Sequence, residues 1–321
     1  MRRAVLAFLL LLALIAGPLL VAPWYGWGAD PGPPQRFVVA RGAALGTVAA
    51  DLEEAGIVES AGQFRLMARL LGGDAPVQAG TYQLAPGSGW RQLLEILQRG
   101  AVERLAITIP EGLPSILVAE RLRADSRLSG DVAVPAEGSI LPETYAFTAG
   151  EARSAVVARM QAAMTRTLAE LWPQRTARAA VKTPEEAVIL AAIVEKETGK
   201  AAERRTIAGV YSNRLRLGMK LDADPTVIYP ITAGKPLGRR IRQSELRRDT
   251  GYNTYLKPGL PKGPIANPGR ASIAAVLDPA QTDALYFVAD GTGGHVFAAT
   301  LAEHNRNVDR WYAIRRQRGE M

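Results

Sequence analysis

The chain has no cysteine and only two histidines, His295 and His304, among 321 residues. That excludes structural disulfides, thiolate metal sites, a cysteine nucleophile and any multi-histidine metal centre. Aromatic residues are scarce at 6%, so a cluster of three within four positions, Trp24, Tyr25 and Trp27, stands out. Acidic residues number 31 against 39 basic ones, a formal charge of +8. Such a surplus favours anionic partners (nucleic acid, phospholipid, an acidic polymer) without choosing among them. Long hydrophobic runs are absent save one. Arg2 and Arg3 precede an uncharged stretch over residues 4–22, which ends just before the aromatic cluster. As a helix it would span about 28 Å, one hydrocarbon core. The arginines predict a cytoplasmic N-terminus and the aromatics an interface belt on the far side. Gly17-Pro18 would suit a cleaved signal peptide, but no Ala-x-Ala site precedes the polar segment. The stretch therefore reads as a retained, single-pass anchor, with everything after residue 30 outside the cytoplasm.

The remaining length suits two domains, and the expected class is α+β. Residues 1–29 form the N-terminus and anchor and 30–35 a proline-rich linker. Residues 36–103 form a small strand/helix domain, 104–315 a larger mixed α+β domain and 316–321 a basic tail. One pattern recurs three times. Phe37-Val38-Val39 leads to Gly42 and then Val48 and Leu52; Thr81-Tyr82-Gln83-Leu84 leads to Gly87 and then Leu93 and Leu97. The third copy, residues 105–109, leads to Gly112 and then Val118 and Leu122. The apolar positions stand six and ten residues after each glycine, the pattern of a strand, a glycine turn and an amphipathic helix. The first copy, Phe37-Val38-Val39-Ala40-Arg41-Gly42, resembles the opening of a LysM glycan-binding module, though it lacks the usual Asp-Thr-Leu after the glycine. Further helices are predicted over residues 63–71, 154–172, 202–217 and 272–277 and from Leu301 onward. A buried strand is expected at 284–289, and a hairpin turn at 290–294 leading to Val296-Phe297.

Another helix, over residues 183–199, carries the strongest chemical signal. Thr183 and Glu186 make a capping box, Pro184 suits the first turn, and Gly199 is a stop. At about 100° per residue Ile189, Leu190, Ile193 and Val194 form one apolar stripe, and Glu197 lands near its middle. Glu195 points to nearly the opposite side. A carboxyl on an apolar stripe resists ionising, and the negative end of the helix dipole pushes the same way. These conditions suit an acid that holds its proton near neutral pH. A frayed last turn with Glu197 in water fits the spacing equally well.

From residue 137 onward a series of motifs runs in order. Glu137-Gly138 through Leu141-Pro142-Glu143-Thr144-Tyr145 comes first, and Ile193-Val194-Glu195-Lys196-Glu197-Thr198 second. Asn213-Arg214-Leu215, Asp224-Pro225-Thr226-Val227-Ile228-Tyr229, Tyr252-Asn253-Thr254-Tyr255, Gly263-Pro264-Ile265-Ala266-Asn267-Pro268-Gly269 and Tyr286-Phe287-Val288-Ala289-Asp290-Gly291 continue it. Gly293-Gly294-His295 and Glu303-His304-Asn305 close it. The series resembles the MltG/YceG-like endolytic murein transglycosylases, from the anchor to about Trp311. One departure is visible: Asp222 stands where that family commonly has glutamine.

The resemblance implies cleavage of the β-1,4 bond between N-acetylmuramic acid and N-acetylglucosamine in nascent peptidoglycan. Water takes no part, 1,6-anhydromuramic ends are left, and glycan strand elongation is terminated. It implies no metal and no organic cofactor. The catalytic glutamate matches Glu197 rather than Glu195, the residue that helix geometry had picked. The implied setting is the bacterial inner membrane with a periplasmic catalytic domain, glycan strands as substrate and peptidoglycan synthases such as penicillin-binding proteins as partners. Asn213, Tyr252, Asn253 and Thr254 are candidates to hydrogen-bond acetamido groups and sugar hydroxyls, and Asp224 is a further substrate-binding candidate. Two of these have a plainer reading: Asn213 satisfying backbone groups, Asp224 capping the segment after it. His295 beside its glycine turn reads as structural, and the arginines at 239–248 as a solvated charged face. Two other functions fit part of the sequence. One is a muramidase-type hydrolase pairing Glu197 with Asp222 or Asp224; the other is a peptidoglycan-binding scaffold without chemistry. A nucleic-acid binder would fit the charge but neither the anchor nor the absence of a recognised binding motif.

Overall fold

The computed structural model describes residues 21–27, 31–40, 42–100, 105–197 and 199–320. Most of the expected anchor, residues 1–20, lies outside the described residues, as do 28–30, Arg41, 101–104, Thr198 and Met321. Among the described residues no helix is long and apolar enough to cross a membrane. They divide into two compact units. The first runs to Leu105 and takes in Ala146–Gly150; the second comprises Ala106–Tyr145 and the chain from Glu151. Among the described residues, helices and three two-stranded sheets make the architecture mixed α+β.

In the first unit β1 (Gln35–Val39) carries Phe37 and Val39 inward and Val38 outward, the two-residue period of a half-buried strand. Helices α1 (Leu45–Glu54) and α2 (Ala61–Leu71) come next. Antiparallel β2 (Gly80–Leu84) then pairs with β1, placing Tyr82 opposite Phe37, and α3 (Trp90–Arg99) completes the unit. The glycine repeat has a direct structural cause. Gly42, Gly87 and Gly112 have φ of +78°, +77° and +71°, the left-handed region that glycine enters without penalty. Each glycine turns a strand into a helix so that the sixth and tenth residues face inward. Val48, Leu52, Leu93, Leu97, Val118 and Leu122 are each no more than 1% exposed.

The aromatic cluster at the start of the described chain behaves differently from the expected interface belt. Trp24 is 1% exposed and joins the apolar core that contains Phe64, Trp90 and Leu94. A large ring next to a folded apolar core has more area to withdraw from water there than at an interface. Only Tyr25 and Trp27 stay exposed, stacked on each other at 5.3 Å.

The second unit holds the longer helices. Thr108, at the end of β3 (Leu105–Thr108), shares a 2.8 Å hydroxyl hydrogen bond with Thr144, at the start of β4 (Thr144–Phe147). Between them lies α4 (Ser115–Ala124), and after them α5 (Arg153–Leu171), whose Val156 and Met160 are fully buried. The capped helix is α6 (Pro184–Glu197); Ala191, Ala192, Ile193 and Val194 have no exposed surface. It packs against α7 (Arg204–Arg216), α8 (Asp224–Thr232) and α9 (Arg270–Leu277). Helix α8 is not among the helices that the apolar spacing predicts; the sequence offers only Asp224 as a cap for the segment after it. Pro225 suits a first helical turn, but Pro230 inside the helix masks the rest of the pattern.

The chain ends in a hairpin, β5 (Tyr286–Ala289) and β6 (His295–Ala298), with α10 (Leu301–Gln317) packed against it. The strand begins two residues later than predicted and is half-buried rather than buried.

Candidate active site

Helix α6 is fixed at both ends. Thr183 Oγ1 accepts from the amide of Glu186 at 3.2 Å, and the Glu186 carboxylate accepts from the amide of Lys182 at 2.6 Å. At the other end the two glutamates part company. Glu195 turns into the protein, where its Oε2 accepts from the Gly269 amide at 2.9 Å and Arg204 stands 3.6 Å from Oε1. Its side chain is 6% exposed, and its role is to tie α6 to the loop before α9.

Glu197 faces the other way, into a cleft of about 430 Å³. The residue keeps some solvent contact while its carboxyl is enclosed by protein, and its pKa is raised to about 7. Burial is the main cause and the negative charge of Asp224 the next; a hydrogen bond from the Tyr211 hydroxyl and the positive charge of Arg214 partly offset them. Tyr211 and Arg214 stand three apart on α7 and so share the face turned toward α6. Tyr211 is 1% exposed and rests edge-on against Phe287 of β5, 5.8 Å between centroids.

The opposite wall is the start of α8. Asp224 Oδ1 accepts from the Tyr255 hydroxyl at 2.6 Å, and burial plus that bond hold the Tyr255 phenol protonated far above its usual range. Asp222, in the left-handed region at φ +50°, lies 3.3 Å from Arg214 and also lines the cleft. Tyr286 and His304 close the third side. A larger hollow, about 520 Å³, lies beside Arg204, Ala274 and Leu277, but its one carboxylate, Asp278, is already held by Arg178 and Arg205. The smaller cleft is the one that holds a carboxyl with a raised pKa, Glu197. Among the described residues no group of three or more histidine, aspartate or glutamate side chains is placed to hold a metal ion.

Of the residues singled out from the sequence, Glu197 and Asp224 meet in this cleft and the other four lie elsewhere. Asn213 gives its amide to the carbonyls of Thr282 at 2.8 Å and Ala284 at 3.1 Å, while its oxygen accepts from Arg216. Asn253 is 7% exposed and binds the carbonyls of Leu246 and Arg248 and the amide of Tyr255. Thr254, 2% exposed, accepts from the Ala223 amide at 3.0 Å and meets the Thr226 hydroxyl at 2.9 Å. These three hold the walls rather than face the cleft, because their polar atoms are taken up within the protein. Tyr252 packs on Tyr229, 5.0 Å between centroids, beneath the Lys262 ammonium. Asn213→Ala is expected to cost about 1–3 kcal/mol through the two orphaned carbonyls, lowering the melting temperature while KM stays within about twofold. A tenfold rise in KM at unchanged melting temperature would return Asn213 to the substrate. His295 has its Nδ1 2.8 Å from the Glu203 carboxylate.

Tyr211, Arg214, Tyr255, Tyr286 and His304 escaped selection although four of them sit inside the quoted motifs. In Asn213-Arg214-Leu215 the amide looked like a sugar ligand, and in Tyr252-Asn253-Thr254-Tyr255 the first three polar residues drew notice instead of the last. A helical projection from Tyr211 would have placed Arg214 on its face; nothing local distinguishes Tyr255 from Tyr252.

One enclosed carboxyl that keeps its proton near neutrality, beside a second acidic group and an aromatic wall, is a general-acid site. The chain belongs to the YceG-like family, whose model matches residues 37–310. It is 28% identical over 309 residues to the endolytic murein transglycosylase of Bacillus subtilis (strain 168), covering 86% of this chain and 84% of that protein. The endolytic murein transglycosylase of Streptococcus pneumoniae (strain D39) is likewise 28% identical, over 84% of this chain and 57% of the longer relative. The crystal structure of a YceG-like protein from Listeria monocytogenes superposes with a TM-score of 0.53 at 25% identity, covering 86% of this chain and 99% of that one.

Proposed function

We propose that this chain is an endolytic lytic transglycosylase of peptidoglycan and that Glu197 is its acid and base. The observation that carries the assignment is the enclosed Glu197 carboxyl with its pKa raised to about 7. Protonated, Glu197 donates to the glycosidic oxygen as the bond from that oxygen to the muramic C1 breaks. The carboxylate so formed takes the proton of the same sugar's C6 hydroxyl, whose oxygen bonds to C1 and closes the 1,6-anhydro ring. Glu197 ends protonated and ready for the next bond, so the second carboxylate of ordinary glycosidases is not required. Tyr211 steadies the carboxylate between the two transfers by hydrogen bonding. Asp224 offers negative charge across the cleft to the positive charge that builds up at C1.

Asp224 also keeps a second reading alive, since a carboxylate facing Glu197 could activate water. The products separate the two. Mass spectrometry of uncrosslinked glycan digested with residues 31–321 is expected to find 1,6-anhydromuramic ends, and reducing ends in their place would make the protein a hydrolase.

A peptidoglycan substrate places the catalytic unit outside the cytoplasm. Residues 4–22 then serve as the anchor behind Arg2 and Arg3, residues 36–103 as a LysM-like contact to glycan, and peptidoglycan synthases as neighbours. The uncharged run, the strand–glycine–helix pattern and the basic charge support these assignments.

A further inference from the structure

His304 is the versatile side chain in the cleft to which the reaction above gives no task. It sits in the opening turns of α10, behind a capping box in which Thr300 Oγ1 accepts from the Glu303 amide and the Glu303 carboxylate accepts from the Thr300 amide, both at 3.2 Å. A capped first turn packed on β5 gives the imidazole a fixed place. The ring lies on the Tyr286 ring at 5.2 Å and 25°, and both line the Glu197 cleft.

The two ring nitrogens differ. Nδ1 is buried and has no hydrogen-bond partner. A proton there would be an orphaned donor, so the cheaper tautomer carries its hydrogen on Nε2. Burial and the positive charge of Arg214 both hold the ring below the usual histidine range, so it is neutral where Glu197 works. A neutral N–H suits an uncharged polyhydroxylated ring, one of whose oxygens accepts from it; the Tyr286 ring itself is covered by the imidazole and by the Arg214 guanidinium, 5.2 Å from its centroid. A charged imidazole would select carboxylates instead.

We propose that His304 is a substrate-contacting residue: held on the Tyr286 ring at the wall of the Glu197 cleft, it donates from Nε2–H to a hydroxyl or acetamido oxygen of the glycan. The inference rests on the transglycosylase reading. It gives the Glu303-His304-Asn305 motif a function, with Glu303 setting the cap and His304 the contact.

The small number of histidines makes the test direct, because the imidazole region of a ¹⁵N NMR spectrum holds only His295 and His304. The Glu197→Gln protein is titrated with uncrosslinked glycan strands. One imidazole, identified by its absence from the Glu197→Gln/His304→Gln protein, is expected to shift saturably while His295, bound to Glu203, stays in place. Glycan should bind the Glu197→Gln/His304→Ala protein about tenfold more weakly than the Glu197→Gln protein, and His304→Gln should recover part of the loss. Saturation by glycan with both imidazoles unmoved, or an unchanged Kd on removing the ring, overturns the proposal. Failure of the Glu197→Gln protein to bind glycan, with wild type leaving the strands uncut, would instead overturn the transglycosylase reading.

Discussion

Glu197→Gln is expected to lower the release of anhydro-ended fragments by roughly 10³-fold or more, since one side chain supplies both proton transfers and either alone is worth about 10²–10⁴. The wild-type rate has its own signature. Catalysis begins from the protonated acid, so kcat/KM should fall about tenfold per pH unit above the raised value of about 7. The same shift has a stability consequence of definite sign. Below the ordinary glutamate value of about 4.5 the carboxyl is protonated in folded and unfolded chains alike, and nothing is lost. Between there and about 7 the unfolded chain releases the proton first, so folding stability declines as pH rises, by about 3 kcal/mol in all. Glutamine carries no proton to lose. The variant should therefore match wild type near pH 4 and exceed it by about 3 kcal/mol at pH 8, read as urea midpoints at the two pH values. A difference that does not change with pH would mean that Glu197 titrates as an ordinary surface carboxylate.

Arg214→Leu should be the most damaging change near the site that leaves Glu197 in place. Its side chain is 10% exposed and donates to the carbonyls of Leu285 at 2.6 Å, Leu221 at 2.9 Å and Lys220 at 3.2 Å. The guanidinium thereby ties the hairpin to the segment that leads into α8. Leucine cannot satisfy those three acceptors, and about 3–5 kcal/mol of stability should go with them. Activity reports the other half of its work. The positive charge of Arg214 favours the ionised form of Glu197, so its removal should move the falling limb of the pH profile above 7. Arg214→Lys separates the two effects. It keeps the charge and loses the fork, so the limb should stay near 7 while most of the stability loss remains.

How much could be read in advance depends on the range of the interactions. The glycine repeat was legible because each copy is a local matter of a left-handed turn and then a 3.6-residue period. Helix α6 was legible for the same reason, its cap, stripe and stop lying within 17 residues. Glu197 stood out because it broke a pattern its neighbours obeyed. Asn213, Asn253 and Thr254 misled because a polar residue in a motif looks alike whether it faces ligand or backbone. For Asn213 the partners lie 69 and 71 residues away, at Thr282 and Ala284, and no local rule reaches that far. Trp24 shows the converse: a hydrophobic residue beside an apolar run was assigned to lipid when the core of its own unit took it.

Glu195 and Glu197, two residues apart on the last turn of α6, act like a rivet and the tool mounted on it. A catalytic acid changes charge twice in every cycle, and a helix end free to move could track those changes by swinging its carboxyl toward water. Glu195, bonded behind to the Gly269 amide and paired with Arg204, denies the turn that recoil. In the proposed reaction the energy that makes Glu197 reluctant to ionise is then kept through the cycle, and the reprotonation that ends one cut restores the acid where the next bond will meet it.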